Sequence, residues 1–93
     1  MSEQVRVVPM AEHEYGVEIS EGGTVTGHRV RVDEQLVDDL GIVDLDEQRL
    51  VEETIAFLLE RMPAVAIDRE FGLDAVADRF DDYVPEIRAR LTR

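Results

Sequence analysis

The stretch Asp44-Leu-Asp-Glu-Gln-Arg-Leu-Val-Glu-Glu-Thr-Ile-Ala-Phe-Leu-Leu-Glu-Arg-Met-Pro63 decides the fold. Val51, Ile55, Leu58, Leu59 and Met62 recur at three- and four-residue steps and make one apolar helical face. Leu50, Thr54 and Phe57 widen that face, while Arg49, Glu52, Glu53, Ala56 and Glu60 form the opposite, solvated arc. Asp44 or Asp46 caps the first turn, and Asp44 with Glu47 has the spacing of a capping box. Glu47 also stands near the positive end of the helix dipole. Pro63 biases Met62 away from helical geometry. A central helix is therefore expected over 45–62. A face this wide needs more than one covering element.

Upstream, residues 14–32 read as a β-hairpin. Tyr15, Val17 and Ile19 alternate with Gly16, Glu18 and Ser20; Thr26, His28, Val30 and Val32 alternate with Gly27, Arg29 and Arg31. Gly22-Gly23 suits a two-residue turn with positive φ at both positions. That turn sets Ile19 opposite Thr26, Val17 opposite His28, Tyr15 opposite Val30 and His13 opposite Val32. The large apolar residues then share one face, apart from Val25 near the turn. Glu18, Arg29 and Arg31 lie on the wet face. A lone hairpin is marginal in water. It must pack on the helices, recruit residues 5–8 as a third strand, or pair with a second copy through its unpaired edges. Residues 1–12 are either a loose tail or contain an edge strand that tolerates Pro9.

Between hairpin and central helix, Asp33 can cap a short helix, Glu34 to Leu40, stopped by Gly41. After Pro63, Ala64 to Glu70 reads as a short helix with Ile67 and Phe71 inward and Gly72 as its end. Asp74 can cap the next, with Val76, Ala77 and Phe80 inward. Pro85 opens the last helix, carrying Val84, Ile87 and Leu91 on one side and a favourable Glu86–Arg90 pair. Arg88, Arg90 and Arg93 suit its negative end.

The 93 residues are read as one domain, 1–93. There are no cysteines, which excludes a disulfide scaffold, thiol catalysis and thiolate metal sites. No apolar N-terminal stretch suggests a signal peptide or membrane span, so the expected location is cytoplasmic. The net charge of −12 argues against a nucleic-acid or anionic-membrane partner. Residues 32–62 carry 10 acids and 2 arginines. That block is a solvated face or a dock for a basic protein. All 10 basic residues are arginine, which reads as host base composition or salt adaptation.

Chemistry is sparse. His13 and His28 share a side of the hairpin but stand about 13 Å apart at roughly 3.3 Å per residue, too far for one metal ion. Asp44-Leu-Asp46 begins like a calcium loop, yet Arg49 replaces its sixth-position glycine and Ile55 its twelfth-position glutamate. Gly22-Gly23 has no lysine or helix after it to hold phosphate. The acidic pairs Asp38-Asp39 and Asp81-Asp82 make turns and caps. A helix-turn-helix over 64–80 would put Asp74 and Asp78 on its recognition helix, the wrong charge for DNA. No catalytic, cofactor or metal residue is assigned.

The hairpin with Gly22-Gly23 and His28, then Phe57-Leu-Leu-Glu-Arg61, Pro63, Ile67, Phe71, Phe80, Tyr83 and Ile87, resembles a family of small uncharacterised bacterial proteins over roughly residues 14–91. The resemblance implies no activity.

The expectation is an α+β fold, an N-terminal antiparallel hairpin on a small helical cluster. The leading function is a non-enzymatic interaction or accessory module, homodimeric. One alternative is an antitoxin-like partner that masks a basic protein. The other is a ligand or catalytic site around Tyr15, His28, Arg29 and Arg31.

Overall fold

The structure is a computed structural model and describes residues 4–92. It is α+β. Three strands, β1 (Gln4–Ala11), β2 (Glu14–Glu21) and β3 (Thr24–Arg31), precede helices α1 (Glu34–Leu40) and α2 (Glu47–Leu59). A 3-10 turn (Ala64–Ala66), strand β4 (Glu70–Gly72) and helices α3 (Leu73–Arg79) and α4 (Tyr83–Leu91) follow. The sheet order is β1-β2-β3-β4, antiparallel except for β4, which runs parallel to β3. No helix among the described residues is long and apolar enough to cross a membrane.

The hairpin takes the register that its turn dictates. Ile19 pairs with Thr26, Val17 with His28 and Tyr15 with Val30. Gly22 and Gly23 have φ of 57° and 84°, the left-handed pair that a two-residue hairpin loop needs. Such a loop makes Glu21 and Thr24 a hydrogen-bonded pair, so odd-numbered residues of β2 turn their backbone groups to β3 and even-numbered ones to β1. The Val32 N–H donated to the His13 carbonyl at 2.8 Å continues that alternation.

The same alternation explains β1. Residues 5–8 form a strand, which places Gln4, Arg6 and Val8 opposite Ser20, Glu18 and Gly16. These bond to β2, so Val5, Val7 and Pro9 turn their backbone groups to the free edge. Pro9 has no N–H to leave unpaired there. The Val7 carbonyl accepts from Gln48 Nε2 of α2 at 3.2 Å. The expectation of open hairpin edges therefore fails on the β2 side and holds in part on the β3 side. β1 covers β2, β4 pairs only with Arg29–Arg31 of β3, and the free side of β1 is blunted by a proline and a side-chain amide.

Residues 64–72 also depart from expectation. Only Ala64–Ala66 is helical, as one 3-10 turn, and Glu70–Gly72 is a strand. Seven residues suffice for a helix at α1 and α3, so length alone does not forbid one here. The outward backbone groups of β3, however, need partners. Arg29 N–H donates to the Arg69 carbonyl at 2.7 Å, and Phe71 lies opposite Val30. Gly72 has φ −100° and precedes α3; it stops no helix. Asp74 lies within the first turn of α3, and Asp33 stands at the start of α1 without a side-chain cap. Asp46, not Asp44, caps α2, accepting from the N–H groups of Gln48 and Arg49 at 3.0 and 3.3 Å. Asp44 has φ 56°, so the expected Asp44–Glu47 capping box does not form. Helix α2 ends at Leu59, short of the expected 62, where Arg61 Nη1 donates to the Phe57 carbonyl at 3.2 Å.

The core lies between the inner sheet face and the helices. Leu50, Val51, Ile55 and Phe57 of α2 meet Ile19 and Val30 of the sheet and Leu73, Tyr83 and Ile87 of the last helices. Phe57 contacts Phe80 and Tyr83 edge-on, with centroids 5.6 and 5.3 Å away. Thr54 Oγ1 donates to the Leu50 carbonyl at 2.8 Å, so its 2.7 Å contact with Tyr83 is a bond donated by the phenol. Arg88 ties α4 to the end of α1 by donating to the Leu40 and Asp39 carbonyls at 3.1 and 2.8 Å. The expected Glu86–Arg90 pair forms at 2.9 Å, and Arg90 also grips Glu60 at 2.8 Å.

Candidate interaction surface and the histidine sites

His28 stands on the inner face, buried at the rim beside β4. Its Nδ1 lies 2.8 Å from the Asp68 carbonyl and its Nε2 2.9 Å from Thr26 Oγ1. A carbonyl only accepts, so Nδ1 donates to Asp68, and Nε2 shares a hydrogen bond with the threonine hydroxyl. Both ring nitrogens are occupied, and the bond to Asp68 pins the 67–69 crossover to β3.

Tyr15 belongs to a different cluster. Its hydroxyl donates to Glu47 Oε1 at 3.2 Å, and His13 Nδ1 donates to Glu47 Oε2 at 2.7 Å. His13 lies in the β1–β2 loop with φ 61°, a conformation that histidine tolerates better than most residues. Its Nε2 lies 3.4 Å from Glu12 and 3.9 Å from Glu34. The bond to Glu47, and then the charges of Glu47, Glu12 and Glu34, hold the imidazole above its usual pKa. Burial, and then the Glu47 charge, push the Tyr15 phenol up. Glu47 is the first residue of α2, where the helix dipole favours a negative charge. The cluster clasps the β1–β2 loop and the start of α1 to the start of α2. Glu47 has each oxygen engaged and Tyr15 is held as a donor.

Arg29 and Arg31 point to the opposite face, so Tyr15, His28, Arg29 and Arg31 do not converge. Among the described residues, no group of three or more His, Cys, Asp or Glu side chains is arranged to hold a metal ion. A cleft lined by Leu58, Met62, Phe71, Val76 and Phe80 has a volume of about 90 Å³, and an open one lined by Thr26, His28, Ala64, Ile67 and Arg69 about 370 Å³.

Among the described residues, no element lies over the outer sheet face. Its cross-strand rows are Gln4–Ser20–Val25, Arg6–Glu18–Gly27, Val8–Gly16–Arg29–Glu70 and Glu14–Arg31–Gly72. Val8, Met10 and Val25 are 45, 56 and 61 % exposed. Met10 sits at the irregularity of β1 and lies across Gly16, where an added Cβ would come 2.9 Å from its Sδ. Gly27 has no neighbour within 4 Å of that position and no positive φ. Gly16 and Gly27 floor a shallow hollow flanked by Arg6, Val8 and Glu18. Arg6, Arg29 and Arg31 make no ion pair among the described residues, whereas Arg61 and Arg90 do.

Sequence reasoning missed the His13–Glu47 bond and this surface. The first joins residues 34 positions apart, with Glu47 already explained as a dipole or capping residue. The second had a signal in Gly16 and Gly27, two glycines inside strands with no turn to justify them. Comparisons with protein-family models, curated proteins and solved structures found no match.

Proposed function

We propose that the protein is a small, non-enzymatic, cytoplasmic interaction module that works through the outer face of its sheet. The observation that carries this reading is the exposed trio Val8, Met10 and Val25 around a glycine-floored hollow. Exposed apolar groups gathered on one side of a domain mark contact surfaces more often than scattered ones do. The engagement of His28 and Tyr15 in bonds within the fold supports a role without chemistry.

A second reading rests on the acidic block. Asp33, Asp38, Asp44, Glu52 and Glu53 make no ion pair among the described residues, and a basic protein could be masked there. Site-specific photo-cross-linking in the native cell separates the two. A probe at Val25 should give discrete protein adducts and a probe at Glu52 none. Adducts from Glu52 alone would favour the acidic dock, and none from Val25 would end the module reading.

A further inference from the structure

We infer that the outer sheet face is occupied by a second copy of the chain, stacked face to face about a two-fold axis; this rests on the interaction-module reading. Four observations point to that occupant. The first is charge. The face carries Arg6, Arg29 and Arg31 against Glu14, Glu18 and Glu70, so it is balanced, and the whole −12 lies elsewhere. Two copies repel one another through nearly every other approach. Each arginine has a glutamate as cross-strand neighbour yet makes no ion pair among the described residues, which suits it to a glutamate of the partner.

The second is shape. A two-fold interface must be self-complementary. This face carries a projection, Val25, and an open hollow over Gly27 to receive it, with Met10 of the same copy covering Gly16. The third is Gly27 itself. Glycine inside a strand weakens it, and neither a turn nor a neighbour among the described residues requires it. Close approach of another molecule does. The fourth is the edge. Pro9 and Gln48 blunt the long free side of β1, so strand addition there is a poor route to a dimer.

The area sets the strength. Three strands of eight residues present a face of roughly 26 by 15 Å, or about 400 Å² per copy. Together that is about 800 Å², below the ~1,200 Å² of stable interfaces. The dimer is accordingly weak and reversible.

Sedimentation equilibrium on the purified full chain tests this. The protein should be dimeric at high concentration and monomeric on dilution. Val25→Glu should weaken the dimer by about tenfold or more. Val43→Glu makes the same charge change at a site 86 % exposed off the face and should leave the dimer nearly unchanged. Gly27→Thr should weaken the dimer and yet raise the melting temperature of the monomer, since its Cβ meets open space. That variant separates loss of the interface from loss of the fold. A monomer at every concentration up to about 1 mM, an affinity too weak to matter, would overturn the inference. So would equal weakening by Val25→Glu and Val43→Glu. Photo-adducts from Val25 to other proteins, with a monomeric pure chain, would overturn the second copy and leave the module reading standing.

Discussion

The two faces of the sheet are built from the same three strands and treat polarity in opposite ways. On the inner face Ile19 and Val30 are fully buried, and the polar side chains of Tyr15, Thr26 and His28 each find a partner within the fold. On the outer face three valine and methionine side chains stay in water and three guanidinium groups lack ion-pair partners among the described residues. The inner face is finished by this chain. The outer face carries groups whose burial and pairing this chain does not supply, and such groups are where a partner gains most.

Truncations should therefore cost much on the inner side and little on the outer side. Phe57→Ala removes a fully buried ring wedged between Phe80 and Tyr83. It should lose about 3–5 kcal/mol in urea denaturation. His28→Leu strands the Asp68 carbonyl and the Thr26 hydroxyl, for about 1–3 kcal/mol in the same experiment. Tyr83→Phe removes one donated bond but leaves Thr54 bound to Leu50, so about 1 kcal/mol is expected. Val25→Thr, on the outer face, should stay within about 0.5 kcal/mol. A large loss there, measured on dilute monomer, would break the contrast between the faces.

The loop clasp gives the smallest and most specific effect, a dependence on pH. Glu47 raises the folded-state pKa of His13 above its ordinary 6.5. The protonated form thus favours the fold. Its contribution is complete below about pH 6.5, the unfolded value, and is lost as pH rises through the raised folded value. The neutral ring can still donate Nδ1–H to Glu47, so only the charge component goes. His13→Gln should flatten this slope between neutral and mildly alkaline pH, as read by thermal melts. An unchanged slope would mean that the clasp contributes nothing there.

Much of the inner architecture was legible in the chain. The alternation from Tyr15 to Val32 and the Gly22-Gly23 turn set strand register, because one slip would have exposed every valine. The three- and four-residue steps from Leu50 to Leu58 set the buried face of α2. Long-range hydrogen bonding was not legible. Ile67 and Phe71 have helical spacing, and only the unpaired side of β3 turns residues 70–72 into a strand. Asp44 and Glu47 look like a cap by spacing. Which aspartate caps, and that Glu47 reaches back to His13, depends on how the 41–46 turn delivers the helix to the sheet. For the candidate surface, the sequence showed wet Arg29 and Arg31 but not that they share a face with Met10, since that needs β1 in place.

The most direct measurement is a dilution series of backbone amide spectra by nuclear magnetic resonance on the isotopically labelled chain. The account predicts concentration-dependent shifts at Val8, Gly16, Val25, Gly27 and Arg29, with α1 and the exposed arc of α2 unmoved. Shifts confined to Asp38, Glu52 and Glu53, or none up to about 1 mM, would contradict it.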